Sequence, residues 1–224
     1  IRDRNNSDTM YFIVDTGIRV TLLTNLSETM TFESVNITTV GGLGMGEDLR
    51  VWHTIGNTIT IKDIIMKEQN IYVLESDMFE LSQKMGMQIN GIIGSALFSN
   101  FVVEIDYEKK KITFTNPKAF KYRRTHNKFT KIPLEIYNEK PYARVKVQLD
   151  ENLEIDAIVL IDIGASDALW LFPGSNQKIG KNKGENIFYL GQGLNGDIFG
   201  HQGIVNSISF DKKNYLQNVT VSYP

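Results

Sequence analysis

The chain has no cysteine, three histidines and five prolines in 224 residues, and each scarcity removes chemistry. Without cysteine there is no disulfide framework, no cysteine-ligated zinc, no iron–sulfur cluster and no thiol nucleophile. The histidines His53, His126 and His201 are too scattered for a motif such as HExxH, so neither a metal nor another cofactor is expected. Neither sign of charge dominates: 24 basic against 26 acidic side chains leave −2, so no global positive field gathers nucleic acid or an anionic membrane. No apolar run approaches the roughly 18 to 20 residues a spanning helix needs, so no integral membrane segment is expected. The first six residues carry no apolar core of a signal peptide, which implies an export signal already removed or never present.

What is present suits a folded chain. At 42% hydrophobic and 22% charged residues there is enough apolar material for a core and too little charge for a disordered tail. Short β-branched and aromatic runs at 11–14, 20–23, 59–61, 71–74, 101–105 and 112–115, broken by Gly, Asn and Asp, predict a mostly β protein. Residues 101–115 read as a hairpin whose turn is Glu108-Lys109-Lys110-Lys111. One helix is predicted from a Ser76 cap to Gly86, with Asp77 and Glu80 facing its N-terminal dipole, and a second short one from Ser95 to Asn100. Residues 117–133 carry Lys118, Lys121, Arg123, Arg124, Lys128 and Lys131 with no acid. They read as a solvated connector rather than a nucleic-acid patch. The resulting division is an N-terminal unit over 1–120, a basic connector over 121–137 and a C-terminal unit over 138–224.

A repeat links the two units. Tyr11-Phe12-Ile13-Val14-Asp15-Thr16-Gly17 matches Val159-Leu160-Ile161-Asp162-Ile163-Gly164 at an offset of 147 residues, and the same offset carries Gly44-Met45-Gly46 onto Gly191-Gln192-Gly193. Ile59-Thr60-Ile61 and Ile71-Tyr72-Val73 follow onto 208–210 and 219–221 with a slip of one or two residues. Each copy ends an apolar strand in Asp-x-Gly. A carboxylate there must be hydrogen-bonded or change its pKa, and the glycine lets the backbone turn and offer its N–H. If the copies pack about a pseudo-two-fold axis, Asp15 and Asp162 meet across it and hold one shared proton. One acid and one base then stand side by side, able to activate a water and polarise a carbonyl without metal or covalent intermediate. Asp106 and Asp211 read instead as turn formers, and Asp167 as a solvated residue near the dyad.

With Gly91-Ile92-Ile93-Gly94 and the strand 101–107 added, these motifs resemble the aspartic proteases of the retropepsin and pepsin type, most closely the bacterial retropepsin-like enzymes with two short lobes in one chain. The resemblance implies a mostly β fold of two related acid-protease lobes about a pseudo-two-fold axis, with one or two short helices. It makes Asp15 and Asp162 the catalytic pair, with Thr16, Gly17, Gly164 and Ala165 supporting their loops. It passes Gly91-Ile92-Ile93-Gly94 behind the catalytic loop, and makes flaps of the regions around Gly44–Trp52 and Gly191–Phe199, with Gly44, Gly46, Trp52, Gly191 and Gly193 as substrate-binding residues. The chain departs from the pattern at Ile18, where a small residue is expected, and at Ile163, where a hydroxyl is expected. The counterpart of residues 91–94 falls beyond Pro224 and that of 141–145 before Ile1, so the second lobe is expected to lack a segment and to expose unpaired edges. The implied activity is an aspartic endopeptidase acting on a peptide or protein substrate as a monomer with pseudo-dimeric lobes, self-association being possible. Ile18 and Ile163 motivate the alternative, a degenerate, non-catalytic module that binds peptide or a protein partner. The resemblance to exported bacterial proteins implies the periplasm or cell surface, while the lack of cysteine also suits the cytoplasm.

Overall fold

The computed structural model describes residues 10–24, 35–74, 79–121, 130–180, 184–211 and 213–224, and these are mostly β. The first sheet collects β1 (Phe12–Val14), β2 (Thr21–Leu23), β3 (Val35–Val40), β4 (Leu49–Ile61), β5 (Ile64–Val73) and β6 (Gly91–Ile93), in the spatial order β1-β6-β2-β5-β4-β3. β6 arrives last in sequence yet inserts between the first two strands, parallel to β1 through Phe12↔Gly91 and antiparallel to β2 through Leu23↔Gly91. Only glycine fits this crossing. A Cβ on Gly91 would stand 2.0 Å from the Leu22 carbonyl oxygen, and one on Gly94 would stand 2.4 Å from that of Val20. The inserted strand also backs the segment after Asp15: the Asp15 N–H donates to Ile93 O at 3.0 Å and the Ser95 N–H to Ile18 O at 2.7 Å. Leu23, Val73, Ile93 and Leu97 are buried together beneath it.

Residues 95–100 form a 3-10 helix, and the predicted hairpin follows as β7 (Val102–Asp106) and β8 (Lys111–Thr115). Asp106 is the turn former expected of it, accepting from the Lys109 N–H at 2.9 Å. The helix at 76–86 is shorter than expected: α1 covers only Leu81–Met85, and Ser76, Asp77 and Met78 lie outside the described residues. Glu80 takes left-handed backbone (φ 51) just before it, while Gly86 (φ 66) ends it as expected. The reason is Phe79, buried against Val51 and Leu74. Burying that ring contributes about 1.5–3 kcal/mol, against about 0.3–1 kcal/mol for an acid near a helix N-terminus, so the ring dictates the backbone.

The second sheet contains β9 (Leu134–Tyr137), β10 (Lys140–Asp150), β11 (Leu153–Leu160), β12 (Ile187–Gly193), β13 (Gly196–Ser209) and β14 (Tyr215–Tyr223). Its path is β11-β10-β13-β12, with β14 on β13 and β9 on β10. β9 corrects the expected connector, whose last residues 134–137 are strand. Asn138 (φ 48) and Glu139 (φ 62) form a tight left-handed turn that folds β9 onto β10, so turn geometry overrides the composition shift. The most basic part of that stretch, 122–129, lies outside the described residues.

The two sheets share a pattern of pairing. β3, β4 and β5 form one antiparallel run and β12, β13 and β14 another. The parallel pair Leu22↔Tyr72 has its counterpart in the parallel bridge Trp170↔Ser222. The register between copies therefore drifts further than the one or two residues expected, since Tyr72 answers to Ser222 rather than to Thr220. No helix among the described residues is long and apolar enough to cross a membrane.

The β6 crossing yields a direct test. Overfilling a packed position costs about 1–3 kcal/mol, so Gly91→Ala is expected to lower the unfolding free energy by that amount in urea denaturation. Gly174→Ala, where nothing stands within 4 Å of the added methyl, is expected to leave it unchanged.

Candidate active site

Asp15 follows the last residue of β1 and Asp162 lies just past the end of β11, both strands being at the edge of their sheets among the described residues. Each carboxylate is held by its own turn: the Gly17 N–H donates to Asp15 Oδ1 at 2.6 Å and the Gly164 N–H to Asp162 Oδ1 at 2.8 Å. The two side chains are hydrogen-bonded to each other. Each glycine also faces the opposite acid. A Cβ on Gly17 would stand 2.2 Å from Asp162 Oδ2, and one on Gly164 would stand 2.4 Å from Asp15 Cγ. The sequence suggested these glycines for their turns; the structure adds that a side chain at either one would displace the other loop's carboxylate.

One hydroxyl ties the loops together. Thr16 is buried, donates from Oγ1 to Ile161 O at 2.6 Å, and accepts from the Ile163 N–H at 3.0 Å. Ile163, at the matching place, has no hydroxyl with which to return the bond. Ile18 is accommodated half-buried, with its N–H reaching Asp15 and its carbonyl accepting from Ser95. Ala165 is exposed.

Burial, and then the negative charge of Asp162, push the Asp15 carboxyl up from 3.8 to about 6; their mutual hydrogen bond adds to this, while the Gly17 and Ile18 N–H groups oppose it. The neutral form of Asp15 is thus favoured over a range in which an ordinary carboxylic acid has ionised. An acid donating toward a second carboxylate is the arrangement that acid–base chemistry on a bound water requires.

The two glycine-rich regions also meet. Residues 41–48 join β3 to β4, and Leu194-Asn195 joins β12 to β13. The Gly46 N–H donates to Asn195 O at 2.7 Å, the Asn195 amide to Gly46 O at 3.1 Å, and the Met45 N–H to Asp197 O at 3.3 Å. The approach is close enough that a Cβ on Gly44 would stand 2.4 Å from Gly196 O, and one on Gly193 would stand 2.8 Å from Gly44 N. Gly191 has a different role: it sits at a bulge with φ 144 and no neighbour that a Cβ would meet. Trp52 is not at a hairpin tip. It lies within β4 and packs against the core of the first sheet. Leu194 and Asn195 fall within the region the resemblance makes a flap but were not singled out there; Leu194 packs against the Val51, Leu74 and Phe79 cluster and Asn195 is buried. The Asn195-Gly196 pair, a strong short-range turn signal, marks this tip.

The raised Asp15 pKa fixes a sign. Between about 4 and 6 the folded protein holds a proton on Asp15 that the unfolded chain has lost, so stability falls as pH rises through that window and levels off above it. Asp15→Asn removes the titration. The melting temperature of the wild type relative to this variant is expected to decline from pH 4 to pH 6 and then stay constant, as read by calorimetry at several pH values.

No protein-family model matches this chain, and no curated protein matches it either.

Proposed function

We propose that the chain is an aspartic endopeptidase with two retropepsin-like lobes, hydrolysing peptide bonds through a water activated between Asp15 and Asp162. The observation that carries this reading is the apposition of two carboxylates, each clamped by the N–H of its own Asp-x-Gly turn and each pressed against the other's glycine. The hydrogen bond between the acids and the raised Asp15 pKa support a dyad that holds a single proton.

In that state the ionised carboxylate removes a proton from the water while the water's oxygen forms a bond to the scissile carbonyl carbon. The protonated carboxyl donates to the carbonyl oxygen. In the tetrahedral intermediate the first acid carries the water's proton and passes it to the amide nitrogen. The C–N bond then breaks, an oxygen proton of the intermediate returns to the dyad, and the products are a carboxylic acid and an amine. An extended peptide suits such a protein, its main-chain groups held as an added strand.

The missing hydroxyl at Ile163 favours one competing reading, a module that binds peptide without cleaving it. Losing a hydrogen bond worth about 0.5–1.5 kcal/mol net loosens the dyad without removing either acid. A peptide-library digest from pH 3 to 7 separates the two. Cleavage is expected to fall as pH rises through about 6, where the shared proton is lost. Asp15→Asn is expected to reduce it by on the order of a hundredfold or more, and Ile163→Thr to raise it by about two- to tenfold. Cleavage unaffected by Asp15→Asn would remove the dyad from the mechanism. No cleavage by any form, Ile163→Thr included, would favour the binding module.

A further inference from the structure

The two aspartate loops are backed by different devices. Behind the first, the Ser95 N–H donates to Ile18 O at 2.7 Å and the Ala96 N–H to Arg19 O at 3.1 Å, so a chain segment supports the loop along its length. Behind the second, among the described residues, no strand stands between β11 and residues 169–171, and no backbone hydrogen bond from the second sheet reaches residues 163–168. Gly164, Ala165 and Ser166 are exposed. Asp167 is not the solvated residue that its position in the sequence suggests. It is half-buried, and its Oδ2 accepts both the Trp170 indole N–H and the Ser222 hydroxyl at 2.6 Å. Ser222 is 1% exposed, and its backbone accepts from Leu171 N and donates to Leu169 O at 2.9 Å each.

We propose that Asp167 is the positioning residue of the second catalytic loop, holding Asp162 against Asp15 by pinning the loop's far end to β14. The assignment rests on the endopeptidase reading for its effect on rate, but not for its effect on the loop. Both hydrogen bonds, at 2.6 Å, converge on one oxygen of the only half-buried polar side chain of residues 163–168. Replacing Asp167 by alanine strands the buried Ser222 hydroxyl and releases the loop. Asparagine, whose amide oxygen can accept both bonds in the same place, keeps the loop attached without the charge.

The test uses the full chain and two readouts. The first is amide hydrogen exchange at Ile163 and Gly164, whose N–H groups are bonded to Thr16 and Asp162, compared with Gly17 and Ile18. Asp167→Ala is expected to speed exchange at Ile163 and Gly164 by about tenfold or more while Gly17 and Ile18 stay protected, and Asp167→Asn to restore most of the protection. The second is peptide hydrolysis. A displacement of about 1 Å costs on the order of a hundredfold in rate, so Asp167→Ala is expected to lower kcat by about ten- to a hundredfold with KM changed less than about twofold, and Asp167→Asn to recover most of that loss. If Asp167→Ala does not fold, Ser222→Ala removes one of the two bonds and is expected to shift both readouts in the same direction by less. Unchanged exchange at Ile163 and Gly164 in the alanine variant, or an asparagine variant as loose as the alanine one, overturns the assignment. Absence of hydrolysis by the wild type with the exchange pattern as expected sinks the endopeptidase reading alone and leaves the positioning role standing.

Discussion

The Thr16 hydroxyl is the constraint from which the site follows. It is buried between two segments that belong to different sheets, and it satisfies a carbonyl of Ile161 and an amide of Ile163 at once. Its net contribution to stability is small, about 1 kcal/mol for a hydrogen bond of this kind. Its geometric consequence is large. Because one oxygen serves both sides of Asp162, the two Asp-x-Gly turns are held at a separation where each carboxylate fills the space a side chain on the opposite glycine would need. Glycine, apposed acids and a raised Asp15 pKa are then one arrangement seen from three sides.

The two sheets that meet there resemble each other in pairing without being equivalent. Both carry the antiparallel run of three strands and the parallel contact behind it, yet the hydroxyl bridge is made from one side only. The first loop leans on β6 and the 3-10 helix after it, the second on a carboxylate reaching for a serine and a tryptophan. The hairpins differ as well: Leu194 of the second packs into an apolar cluster of the first sheet, while Leu43 and Met45 of the first stay exposed. Under the proposed function, a symmetric reaction centre is supported by asymmetric surroundings.

The sequence carried the features that depend on short-range pattern. Two apolar strands ending in Asp-x-Gly at one offset, the hairpin at 101–115 and the glycines at 91 and 94 were legible because each rests on residues adjacent in the chain. The misses have a common cause, which is that contacts between distant segments overrode local preference. Phe79 is buried against Val51 and delays the helix that Ser76, Asp77 and Glu80 advertise. Residues 134–137 follow a basic stretch yet pair with β10. Trp52 resembles a flap aromatic in sequence but packs against the core of the first sheet. Asp167 looked solvated because its two partners, one of them 55 residues away, come together only in the fold.

The central claim is that Asp15 and Asp162 act as one coupled acid. Carbon-13 NMR titration of the Asp15 side-chain carboxyl, in the wild type and in Asp162→Asn, tests it directly. The account predicts a midpoint near 6 in the wild type and a lower one in the variant, still above the ordinary carboxylate range because burial, the larger cause, remains. A wild-type midpoint near 4, unmoved by Asp162→Asn, would contradict it.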